Sequence, residues 1–181
     1  MLNHPEREVA FSELKRLLFD KCSQFPKTEL KPLFIHLNNY CIHKKINVGE
    51  TSFFHELFEI YQFALDKEIF HNKKGLLPQQ DYKNIITVGL HVKAFDWVES
   101  FIKKQTQDLP QDQRENALTY NLAKVYFSRG EYEKVISQLQ EVEYDDIVYA
   151  LGSKLLLLKT YYELDEYLAL DSLIDSFRIY L

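Results

Sequence analysis

The side chains best suited to chemistry are few and scattered. Cys22, His36, Cys41 and His43 lie within 22 positions, and thiolate with imidazole is a donor set that suits zinc. Their spacing does not favour it. His36 and His43 are seven apart and share a helix face, from which Cys41 points away. No CxxC, HxxxH or HExxH spacing occurs, so buried structural cysteines, exposed histidines and no metal are the expected reading. A carboxylate run, Glu141, Glu143, Asp145 and Asp146, straddles a predicted helix boundary. Acid–base work would need these groups in a cleft, and a solvated turn capping the next helix accounts for them better. There is no GxSxG elbow, neither cysteine has an identifiable positioned base, and no glycine sits in a GxGxxG or GxxxxGK loop. The chain is therefore expected to be no enzyme and to need no cofactor.

Composition narrows the class. Of 181 residues, 46% are apolar and 14% aromatic, while glycine and proline number only 5 each. So few turn residues argue against a β-sandwich or barrel and against a low-complexity chain; long helices joined by short turns need little of either. Residues 1–80 carry 11 Lys+Arg against 10 Asp+Glu, and residues 81–181 carry 11 against 17. An acidic half does not suit a phosphate backbone, so nucleic acid is not expected. Two cysteines make no disulfide framework, the first residues hold no signal-peptide core, and no stretch approaches the roughly 18 apolar residues of a membrane span. A cytoplasmic protein with no membrane partner is the expectation.

The periodicity is helical throughout. Pro5 fits the first position of a helix carrying Val9, Phe11, Leu14, Leu17, Leu18, Cys22 and Phe25, ended by Phe25-Pro26. A second helix is predicted from about Pro32 to Lys45, with Leu33, Leu37, Tyr40, Cys41 and Ile46 inward, stopping at Gly49. A third follows Thr51 or Ser52. The segment His71 to Pro78 reads as a loop and as the best internal boundary, leaving residues 1–75 as N-terminal helices or divergent repeats. Beyond it, helices are predicted over 79–92, 95–106, 112–129, 131–143, 146–163 and 166–180.

These later helices repeat. A shift of 35 residues lays Leu122 on Leu157, Tyr126 on Tyr161, Tyr132 on Tyr167, Val135 on Leu170, Leu139 on Ile174 and Val142 on Phe177. A backward shift of 37 lays Asn84 on Asn121, Phe95 on Tyr132, Val98 on Val135 and Ile102 on Leu139. Three copies of one hairpin (79–106, 112–143 and 146–181) describe this half, and such hairpins bury their apolar faces only by stacking. The stretch Tyr120 to Val135, with Leu122, Ala123 and Tyr126 followed by Gly130-Glu131-Tyr132, resembles the tetratricopeptide repeat. Thr119 stands where that family has Trp, and Val135 and Val142 replace its alanines. The chain is similar in this to bacterial proteins with such repeats, a likeness that adds no function.

The resemblance implies an all-α, right-handed solenoid of about nine helices, serving as a protein–protein interaction scaffold whose hairpins' first helices line a concave groove. The groove-facing positions it implies are Lys83, Asn84, Thr87, Tyr120, Asn121, Lys124, Phe127, Lys159 and Tyr162. Asn84, Asn121, Lys124 and Lys159 match in part the family's clamp for a peptide's terminal carboxylate. Tyr126, Tyr132, Tyr161 and Tyr167 are expected in the core, with Tyr132 and Tyr167 wedged between hairpins. A protein or peptide is the expected partner. The last helix adds self-association, because Leu168, Leu170, Leu173, Ile174, Phe177, Ile179, Tyr180 and Leu181 leave it few polar positions. Two other readings compete: a metal-binding or enzymatic domain with its site in the N-terminal helices, and a self-assembling structural module.

Overall fold

The structure, a computed structural model, describes residues 5–139 and 147–178. Among these residues every regular element is helical: α1 (Pro5–Lys21), α2 (Lys27–Asn39), α3 (Phe53–Asp66), α4 (Gln79–His91), α5 (Phe95–Gln105), α6 (Arg114–Arg129), α7 (Tyr132–Leu139), α8 (Ile147–Glu163) and α9 (Tyr167–Arg178). The fold is all-α. The carboxylate run at 141–146, Val142 and residues 179–181 lie outside the described residues. By Cα proximity the chain divides into two compact units, Met1–Val92 and Lys93–Leu181.

In the first unit the second helix starts earlier than predicted. The chain enters α2 from an extended Pro26, whose carbonyl accepts both the Glu29 N–H at 2.9 Å and the Leu30 N–H at 3.2 Å. Pro32 therefore stands inside the helix, where it forfeits one backbone bond. Burial of Leu30 and Phe34 on the same helix offsets that loss. The helix continues into a widened π-helical turn over Tyr40–Lys45, in which the Ile46 N–H reaches back five residues to the Cys41 carbonyl. Gly49 then takes the predicted left-handed stop, with φ 99°.

The core of this unit is aromatic. Phe19 stacks on Phe63 at 4.0 Å, Phe34 lies 5.9 Å from Phe63, and Tyr61 and Phe70 meet at 6.0 Å. Phe25, read as part of the periodic face of α1, is instead exposed, as are Val9 and Leu17. The segment 71–78 is irregular but anchored. Leu77 is buried, and the Asn72 side chain accepts the backbone N–H groups of Lys74 and Leu76.

In the second unit, Ala123, Val135, Leu139, Leu156 and Leu157 form a core drawn from α6, α7 and α8. The turns bear on the repeat. Gly130 and Asp165, at the 35-residue shift, are both left-handed (φ 76° and 57°). Each is followed by the same closing bond, Glu131 N–H to Tyr126 carbonyl and Glu166 N–H to Tyr161 carbonyl, both 2.9 Å. Lys93, at the backward shift, is left-handed too (φ 59°). Val98, Val135 and Leu170 each donate their N–H to the carbonyl four residues earlier, at the matched positions Ala94, Glu131 and Glu166.

The tyrosines need correction. Tyr167 is 56% exposed, its hydroxyl donating to Asp165. Tyr126 and Tyr161 are half-buried at the margin of the core, and Tyr132 is half-buried beside the Phe127 ring. The equivalent turn position is kept, but none of the described side chains of α9 is fully buried around it.

Candidate partner-binding faces

The nine positions expected along a groove fall into both units. In the first, Lys83 and Asn84 are half-buried on α4. Asn84 accepts from the Gln80 amide at 2.9 Å and is hydrogen-bonded to the Tyr61 hydroxyl, whose titration burial pushes up. Thr87 is exposed and donates its hydroxyl to the Lys83 carbonyl at 2.9 Å. These amides and hydroxyls serve their own fold.

In the second unit the other six positions separate by burial. Asn121 is only 2% exposed, and its amide donates to the Ala117 carbonyl at 2.8 Å, so it faces the interior and cannot reach a ligand. The resemblance to the repeat had placed it in the groove; a satisfied hydrogen bond to its own helix lets it go in. Tyr120 is half-buried, its ring edge-on to Tyr149 at 5.7 Å and its hydroxyl pushed up by burial. Lys124 lies over that ring, 5.8 Å from its centre. Phe127 packs on Tyr132 at 5.4 Å and on the α6–α8 core. Lys159 and Tyr162 on α8 are exposed, Tyr162 by 64%.

What sequence reasoning missed is the company Tyr162 keeps. Ile147, Val148, Leu151 and Leu155 are also exposed, by 77, 63, 49 and 47%. Val148, Leu151, Leu155 and Tyr162 recur at helical spacing along one side of α8. The opposite side holds Tyr149, Ser153, Leu156, Leu157 and Thr160, all buried. α8 is thus apolar on both sides, whereas a surface helix ordinarily carries one apolar stripe. The signal was present in the sequence, as the unbroken run Leu155 to Leu158.

No protein-family model, curated protein or solved structure matches the chain.

A second face lies in the first unit. An open trough of about 300 Å³ runs between α1 and the end of α2. Ala10, Phe11, Leu14, Leu37 and Tyr40 form its floor, and Arg7, His36 and Lys44 stand around its edge. The π-helical turn presents Tyr40 and Lys44 here, with Tyr40 stacked on Phe11 at 4.8 Å. Arg7, His36 and Lys44 are exposed and make no ion pair among the described residues. The neighbouring Lys45 turns inward instead. It is 4% exposed, with its ammonium 2.6 Å from Glu8 and 3.0 Å from Glu50 and 4.9 Å from the centre of the Phe53 ring. Those bonds, the Glu8 one first, hold its pKa above the usual lysine value.

The four metal-type residues do not converge. Cys22 and Cys41 are free and buried, and His36 and His43 are exposed. Among the described residues no group of three or more His, Cys, Asp or Glu is placed to hold a metal ion, and no helix is long and apolar enough to cross a membrane.

Proposed function

We propose that this chain is a non-catalytic protein-interaction scaffold built from tetratricopeptide-like hairpins, and that its partner covers the outward side of α8. The observation carrying this reading is the double-sided helix: one face of α8 packs in the core, while Val148, Leu151, Leu155 and Tyr162 stand in solvent beside Lys159. A contiguous exposed apolar stripe marks an interaction surface, and a tyrosine with a polar tip suits such a contact. Tyr162 and Lys159, two of the groove positions implied by the repeat, belong to this proposed surface. The partner that fits is an amphipathic helix or an extended apolar peptide, because a narrow stripe offers shape and hydrophobic contact but almost no charge.

A displayed library of helix-forming peptides provides the probe. Enriched peptides are expected to bind wild type at micromolar strength and at least tenfold more weakly after Leu151→Glu with Leu155→Glu, about 1.4 kcal/mol. Val9→Glu, at an exposed apolar position of the other unit, should leave binding unchanged. Absence of any enriched peptide, or equal affinity for the α8 variant, refutes the assignment.

A further inference from the structure

We infer that the α1–α2 trough receives α9 of a second copy of this chain. The trough combines an apolar floor with two cations at its edge, Arg7 and Lys44, beside the imidazole of His36, and none of the three makes an ion pair among the described residues. A groove between two helices that is greasy below and cationic at its margin selects a helix that is apolar at its centre and acidic at its flank. The trough's volume, about 300 Å³, stands at the lower bound for small-molecule sites, and its open form suits side chains laid in from above.

The chain itself carries the complement. The solvent face of α9 presents Tyr167, Leu168, Asp171 and Asp175, at positions that share one side of a helix. Leu168 is 88% exposed, the most of any exposed large apolar side chain among the described residues. Asp171 and Asp175 stand four apart, about 5–6 Å between Cβ atoms, so both can meet basic groups along one edge. Asp165 and Glu166 add negative charge at the entry to the helix. Burying Leu168 on the Phe11–Tyr40 floor aligns the α9 carboxylates with Arg7 and Lys44. Donor and acceptor faces differ, so the contact is head-to-tail, and successive copies form a ring or an open chain. The inference is independent of the α8 assignment, since it uses neither that helix nor a foreign partner.

Sedimentation velocity on the full chain across a concentration series tests it, with two charge-reversed variants. All four altered residues are exposed, and circular dichroism confirms that each variant folds. Wild type should associate in 50 mM NaCl and dissociate at least tenfold more readily in 500 mM. Arg7→Glu with Lys44→Glu should weaken self-association at least tenfold, as should Asp171→Lys with Asp175→Lys. Mixing the two variants should restore association, because each then offers a matched face to the other. Leu151→Glu with Leu155→Glu should associate as wild type does, which separates this contact from the α8 surface. A wild type that stays monomeric at low salt overturns the inference. So does association indifferent to either reversal, or a mixture that remains as weak as its components.

Discussion

Gly152 decides how closely α6 and α8 meet. A Cβ built on it would lie 2.9 Å from the Tyr120 hydroxyl oxygen and 3.0 Å from the ring carbon bearing it. The ring cannot easily retreat, being held edge-on against Tyr149. Alanine in mid-helix ordinarily gains about 1 kcal/mol over glycine, but overpacking costs about 1–3 kcal/mol. Gly152→Ala should therefore lower unfolding stability by about 1 kcal/mol in urea titration. In a Tyr120→Ala background the same change should stabilise, so a stabilising Gly152→Ala in the wild-type chain contradicts the contact. Glu99 supplies a charge-based counterpart. Lys103, at 2.7 Å, and then Arg129, also at 2.7 Å, hold its carboxyl below the usual glutamate range. A depressed carboxyl stabilises above its unfolded pKa, and that contribution is lost as pH falls through the folded value. Glu99→Gln should cost about 1 kcal/mol at pH 7. The deficit should vanish well below the ordinary glutamate pKa of about 4.3. Urea midpoints of both proteins at pH 7, 5 and 3 provide the check, and a deficit persisting at pH 3 would assign the loss to packing instead.

At the scale of elements, α8 separates the part of the fold that was readable from the part that was not. Helix ends were legible where a breaker marks them: Gly49 closes the short 3-10 turn Ile46–Val48 that follows the π-helical turn, and Gly130 closes α6. The early start of α2 was hidden because Pro32 mimics a helix's first residue. The π-helical turn was hidden because Tyr-Cys-Ile-His-Lys-Lys has the composition of ordinary helix. Lys93 and Asp165 resemble any polar surface residue, yet they take the left-handed turn that glycine takes at 130, as the 35- and 37-residue shifts imply. The candidate site was less readable, since periodicity finds a helix's apolar side only when there is one. With leucines all around α8, nothing in their spacing tells Leu156 and Leu157 from Leu151 and Leu155; contact with α6 and α7 does. Mutation should expose the difference. Leu157→Ala should cost about 2–5 kcal/mol, whereas Leu151→Glu and Leu155→Glu should each stay within about 0.5 kcal/mol of wild type. Comparable losses on both sides of the helix would mean that the outward stripe is core.

For the whole molecule, the two compact units carry separable reporters. The single tryptophan, Trp97, lies in the second unit, half-buried and stacked on Phe101 at 5.3 Å. Both cysteines lie in the first, Cys22 at 8% exposure and Cys41 at 0%. Burial, with Glu56 adding to it, pushes the Cys41 thiol up to about 12, so almost no thiolate exists at neutral pH, and the thiolate is the reactive form. Reaction at Cys41 thus requires opening of the first unit, which both admits the reagent and returns the thiol toward its ordinary pKa of about 8.5. In native buffer at pH 8, a disulfide-exchange reagent should label Cys41 at least a hundredfold more slowly than it labels free cysteine. Cys22 should label faster than Cys41. Adding urea should accelerate Cys41 labelling along the unfolding curve of the first unit, while Trp97 fluorescence follows the second. Two thiols per chain titrating at once in native buffer would mean that the first unit does not close over the π-helical turn that holds Cys41, and the trough that Tyr40 and Lys44 of this turn line would lose its support.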